Sequence, residues 1–115
     1  LNLITQVSSN ALQQQTMVLD DGTSFTYTLY FVPMQQGWFF TEITYGDSFT
    51  LRNIRVTNSV NMLNQWRNII PFGIGCISTA NREPSLQQDF SSGASKLYLL
   101  TQLECQQYAE ILASD

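Results

Sequence analysis

The chain has 115 residues, enough for one core and too few for two, and its 43% hydrophobic content excludes disorder of the whole chain. Charged residues make up only 12%, about half the usual share of roughly 25%, so the surface is polar through Asn, Gln, Ser and Thr and repels copies of itself weakly. The net charge is −4, and the bases are one lysine, Lys96, and four scattered arginines, Arg52, Arg55, Arg67 and Arg82; no cluster for phosphate contacts exists, so no nucleic-acid specificity is expected.

Residues Leu3 to Val7 form a short apolar start. A strand is predicted over Gln13 to Leu19, followed by the hairpin turn signal Asp20-Asp21-Gly22. In Ser24 to Val32, Phe25, Tyr27, Leu29 and Phe31 fall on one face and Thr26, Thr28 and Tyr30 on the other, the period of a strand half-buried in a sheet. Pro33 ends it and Gln35-Gln36-Gly37 makes the next turn. Trp38 to Tyr45 is the following strand, Tyr45-Gly46-Asp47 a turn, and Phe49 to Thr57 another strand. Its apolar phase slips, with Phe49 and Leu51 on one parity and Ile54 and Val56 on the other, so a bulge near Arg52-Asn53 is expected.

The period then changes. Met62, Leu63, Trp66 and Ile70 sit at helical spacing, with Asn58 or Ser59 as a cap and Pro71 as a stop, which predicts a short internal helix. Gly73 to Ile77 reads as a buried strand with two glycines where something approaches closely. Thr79 to Ser95 reads as one long, polar, exposed loop that orders only in an assembly. Lys96 to Leu100 is the last strand. Thr101 and Glu104 have the spacing of a capping box for a closing helix that runs to about Ala113, with Tyr108, Ile111 and Leu112 as its apolar stripe. The sum is a mainly β single domain over residues 1–115: a small antiparallel barrel or sandwich over 1–101 and a helical extension over 102–115.

The chain offers little catalytic chemistry. It has no histidine, which removes the commonest general base, the usual serine triad and most zinc sites. Cys76 and Cys105 cannot supply a four-ligand metal site, and two thiols in a chain with a sufficient core read as free and buried rather than bridged. No cofactor is expected. Glu42 with Asp47, or Glu83 with Asp89, are the acid pairs a small hydrolase would use, but Glu42 lies on a predicted strand and Asp47 in its turn, an ordinary place for an acid. Asp20-Asp21 could offer oxygen ligands to a cation, and turn chemistry accounts for them more simply. No apolar run reaches the ~18 residues of a membrane span, and no basic flank followed by an apolar stretch marks a signal peptide.

The aromatic residues carry most of the functional information. Trp38, Phe39 and Phe40 are consecutive on a strand and must point to both faces. Either both faces are buried within the domain, or one presents aromatic area beside outward Tyr30 as a protein interface or a sugar-stacking platform. Trp66-Arg67 has an interface-like composition as well. The interface candidates are Tyr30, Trp38, Phe40, Trp66, Arg67 and Tyr108 on the closing helix.

The order of these segments resembles a known family. An N-terminal Leu-Ile segment leads to a strand through Gln15-Thr16 and an aromatic hairpin with Gly37-Trp38-Phe39. Arg67-Asn68-Ile69-Ile70-Pro71-Phe72-Gly73 follows, then a polar loop, then Ser92-Gly93-Ala94-Ser95-Lys96-Leu97-Tyr98-Leu99. Over roughly residues 1 to 101 this is similar to the baseplate plug family of contractile-tailed bacteriophages. The resemblance implies a non-enzymatic virion part in the central baseplate, held against the tail hub, spike and tube proteins. It supplies no catalytic residues. The reading apart from that resemblance is a small carbohydrate- or peptide-binding β-module using Tyr30, Trp38 and Phe40.

Overall fold

Phe25, Tyr27, Leu29 and Phe31 are all buried, and the threonines between them are turned the other way, so the period-two run forms the strand it predicts. A computed structural model describes residues 2–4, 7–19, 21–46, 49–79 and 82–113, with side chains up to Glu110. Asp20 and Asp47, named in two of the predicted turns, and the side chains of Ile111 and Leu112 lie outside the described residues. The strands are β1 (Asn2–Leu3), β2 (Leu12–Val18), β3 (Ser24–Val32), β4 (Gly37–Tyr45), β5 (Phe49–Arg55), β6 (Phe72–Ser78) and β7 (Ser95–Thr101), and one helix, α1 (Gln102–Ala113), closes the chain.

The strands form two antiparallel sheets, a meander β2-β3-β4-β5 and a three-stranded sheet β1-β7-β6. Neither closes on itself, so of barrel and sandwich the structure is the sandwich. The inner faces meet through aromatic rings: Phe25 stacks on Phe72 with centroids 4.1 Å apart, and Tyr45 lies 5.7 Å from the same ring. Burying this apolar surface is the main stabilising term.

The expected phase slip is real and is shared by two strands. Asn53 adopts φ 58°, and the inward set changes parity there from Leu51 to Ile54. On β4 the inward set changes at the same level, from Trp38 and Phe40 to Ile43. The pairs on either side, Phe40 with Ile54 and Glu42 with Arg52, therefore keep one register, while β3 against β4 absorbs the extra residue between Thr28 and Leu29. Two matched irregularities keep β4 and β5 in one register on either side of Thr41 and Asn53.

The predicted helix over residues 62–70 is corrected to a single 3-10 turn, Asn64–Trp66. The reason lies in the preceding residues. Ser59 bridges Cys76, and Met62 donates its N–H to the Ile74 carbonyl at 2.7 Å, so this backbone is committed to the edge of β6. Asn61 accepts the Leu63 N–H at 3.0 Å and turns the chain away. The two glycines of β6 make room for this segment: a Cβ on Gly75 would lie 2.6 Å from the Val60 carbonyl oxygen, and one on Gly73 would lie 2.5 Å from the Asn61 side chain. Gly75→Ala is therefore expected to destabilise the fold by about 1–3 kcal/mol, because backbone rather than a flexible side chain must move. A shift of the urea midpoint at unchanged slope measures it.

The long polar loop is also corrected. Of its described residues, Thr79 and 82–94, the stretch 82–94 packs onto the sandwich rather than standing clear of it. Phe90 is buried edge-on against Trp38 with centroids 5.4 Å apart, and the Trp38 indole N–H donates to the Leu86 carbonyl at 3.1 Å. The hydrophobic anchor is Phe90, the one aromatic residue of a mostly polar stretch. At the other end, the capping box forms as spaced: Glu104 N–H donates to Thr101 Oγ1 at 3.2 Å, and Thr101 N–H donates to the Glu104 carboxylate at 3.0 Å. The helix lies on the outer side of β6 and β7, with Cys105 buried in that contact.

Candidate functional site

Because β2 to β5 pair in register, their outward residues line up in rows across the sheet. Thr16, Thr26, Thr44 and Thr50 form one row, in which the Thr16 and Thr26 hydroxyls are 2.8 Å apart. Gln14, Thr28, Glu42 and Arg52 form the next. Gln14 donates to Thr28 at 3.1 Å, and Arg52 lies 3.7 Å from the Glu42 carboxylate, an exposed pair of small energetic weight. The third row is apolar: Leu12, Tyr30 and Phe39, ended by Arg55, whose guanidinium carbon lies 5.3 Å from the centre of the Phe39 ring.

This arrangement separates the interface candidates. Tyr30 is exposed on the apolar row. Trp38 and Phe40 have no exposed area and belong to the core, so as contact residues they are corrected. Of the aromatic triplet, the outward member is Phe39, a residue the sequence reading passed over. Trp66 packs partly buried on the core, and the Arg67 side chain donates to the Asn64 carbonyl at 2.9 Å, so that pair fastens the turn between β5 and β6. Tyr108 faces a shallow apolar cleft of about 60 Å³ on the opposite sheet, lined also by Val60, Gly75, Ile77 and Tyr98. Hydrophobic periodicity could not find it, because the cleft joins four separate segments of the chain.

The acidic candidates are held by structural partners. Glu42 accepts the Thr44 hydroxyl besides facing Arg52. Glu83 accepts the Asn58 backbone N–H. Asp89 is buried: both its oxygens take guanidinium N–H groups of Arg82 at 2.7 Å, and one also accepts the N–H groups of Ser85 and Leu86. Arg82 above all holds the Asp89 carboxyl down at about 2, against the opposing effect of burial, and the two backbone N–H groups add to the lowering. Asp21 accepts from the backbone and hydroxyl of Thr23, the bonding of a turn. Among the described residues no three Asp, Glu, Cys or His side chains converge as a metal site.

Cys76 and Cys105 are free and buried. Burial raises the Cys76 thiol to about 12, helped by the negative charges of Glu83 and Asp89, and burial likewise raises Cys105 to about 11. Both are expected to resist a thiol reagent at mildly alkaline pH and to react together once the chain is unfolded, a difference read as the reagent's colour change with and without denaturant.

Comparison with protein-family models and with curated proteins finds no match for this chain.

Proposed function

We propose that this chain is a structural component of a contractile phage tail baseplate, docked in the central hub region against hub, spike and tube proteins, where it helps plug or stabilise the lower end of the tail tube. The order of segments over residues 1 to 101 supports the family part of this reading. The observation that carries the docking part is the placing of exposed apolar side chains on both broad faces of the sandwich. Leu12 and Tyr30 lie on the outer face of the meander, and Ile77 beside Tyr98 and Tyr108 lies on the outer face of the other sheet. A domain with apolar area on two opposite faces suits a place between neighbours, where each face is covered. The mechanism is complementarity of shape and polarity, with no reaction step assigned to any residue. The rival glycan-binding reading needs a platform of Tyr30, Trp38 and Phe40, of which only Tyr30 reaches the surface.

Peptide mass spectrometry on gradient-purified contractile phage particles from the source system tests the proposal. The chain is expected at a few copies per particle relative to the sheath protein, with cross-links from both faces to hub or tube subunits. Its absence from particles while present in the infected-cell lysate would overturn the reading.

A further inference from the structure

We propose that this chain forms a twofold dimer through strand β2, pairing antiparallel with the same strand of a second copy. The proposal does not depend on the phage assignment. It starts from the ladder. Phe31 donates its N–H to the Ala11 carbonyl at 2.7 Å and Leu19 donates to Thr23 at 2.7 Å, and both contacts continue the single β2–β3 register. In an antiparallel ladder the bonded positions alternate, so residues 13, 15 and 17 bond to β3 as well. The N–H and C=O groups of Leu12, Gln14, Thr16 and Val18 then point to the other side, where among the described residues no strand pairs with them.

Natural edges are blunted by charge, proline, bulges or shortness. Edge β5 at the far side of the same sheet has such features: Arg52, Arg55 and the left-handed Asn53. A second copy at β5 would gather four arginines on one strand pair. Strand β2 has none of these features: it is seven residues long, Leu-Gln-Gln-Gln-Thr-Met-Val, with no charge, no proline and no break in register. In a chain of net charge −4 this uncharged strand is the place where two copies meet without like charges opposed.

The sequence is also self-complementary about Gln15. Pairing centred there sets Leu12 against Val18 of the second copy and Gln14 against Thr16, and each such pair recurs across the twofold axis. Leu12 is 64% exposed and Val18 73% exposed, and each would cover the other. The two pairs that would exchange hydrogen bonds in this register, Leu12 with Val18 and Gln14 with Thr16, join residues whose backbone groups already point outward, so the four-stranded meander becomes one continuous eight-stranded sheet. A single pair of short strands buries less than the ~1,200 Å² of a stable complex, so the dimer is concentration-dependent.

Sedimentation and light scattering of the free 115-residue chain over a wide concentration range form the test. The apparent mass is expected to rise from 13.1 kDa towards twice that value. Thr16→Pro removes one outward N–H and leaves the β2–β3 ladder, so it should abolish the dimer at an unchanged circular dichroism spectrum. The double variant Leu12→Cys with Val18→Cys should cross-link to a covalent dimer on mild oxidation, and neither single variant should. A wild-type chain that stays monomeric up to its solubility limit overturns the proposal. So does a dimer that persists in folded Thr16→Pro, or one that fails to cross-link in the double variant. If Thr16→Pro does not fold, the cysteine pair decides alone.

Discussion

Replacing Trp38 by alanine is expected to destabilise the fold by about 3–5 kcal/mol, as removal of a large, fully buried aromatic residue does. The indole stands between the sandwich and the folded loop, near Phe31 at 5.3 Å on one side and Phe90 at 5.4 Å on the other. Trp38→Phe separates two contributions. It keeps an aromatic ring and removes the N–H that reaches the Leu86 carbonyl, and should cost about 1–2 kcal/mol. Limited proteolysis distinguishes them further: the phenylalanine variant should be cut within residues 82–94 at lower protease concentration while the strands remain protected. Equilibrium urea unfolding of both variants gives the magnitudes.

The second large effect is acid loss of stability through Asp89. Its carboxyl titrates at about 2 in the folded chain against an ordinary value of 3.8, so the folded state binds the proton more weakly than the unfolded state. The contribution is therefore complete above about pH 4 and disappears as the pH falls towards about 2. Its size at neutral pH is about 2 kcal/mol. Asp89→Asn should flatten this limb of the stability curve, and thermal melts of the two proteins at a series of acidic pH values should converge below about pH 2. Asp89→Ala should cost more, about 3 kcal/mol, because it also leaves the Arg82 guanidinium and two backbone N–H groups without their acceptor.

What could be read from the sequence was local. The alternation of Phe25 to Phe31, the slip between Leu51 and Ile54, the Thr101–Glu104 cap and the two glycines of β6 all carry a signal within a few residues, and each appears in the structure as expected. The misses share one cause. Met62 to Ile70 has helical spacing, but its first N–H groups are claimed by β6, a partner no window over 62–70 contains. The loop looked exposed because its composition is polar, yet one phenylalanine packs it against Trp38, and an ion pair between its own Arg82 and Asp89 braces it from within. Trp38 and Phe40 were legible as aromatic and strand-borne, but which face of β4 was the core depended on the strands beside it. Exposure is a property of neighbours, and so the surface was less legible than the fold.

The pairing of β1 with β7 joins Asn2 to Leu99, almost the whole length of the chain. The meander β2 to β5 needs only neighbours in sequence and can assemble as soon as residue 55 is available. The other sheet waits for the last strand, and the loop-closure entropy of joining the two ends opposes it until then. During synthesis, therefore, the aromatic inner face of the meander stands uncovered until β6 and β7 arrive. The chain's most aggregation-sensitive interval lies between the emergence of residue 55 and that of residue 101.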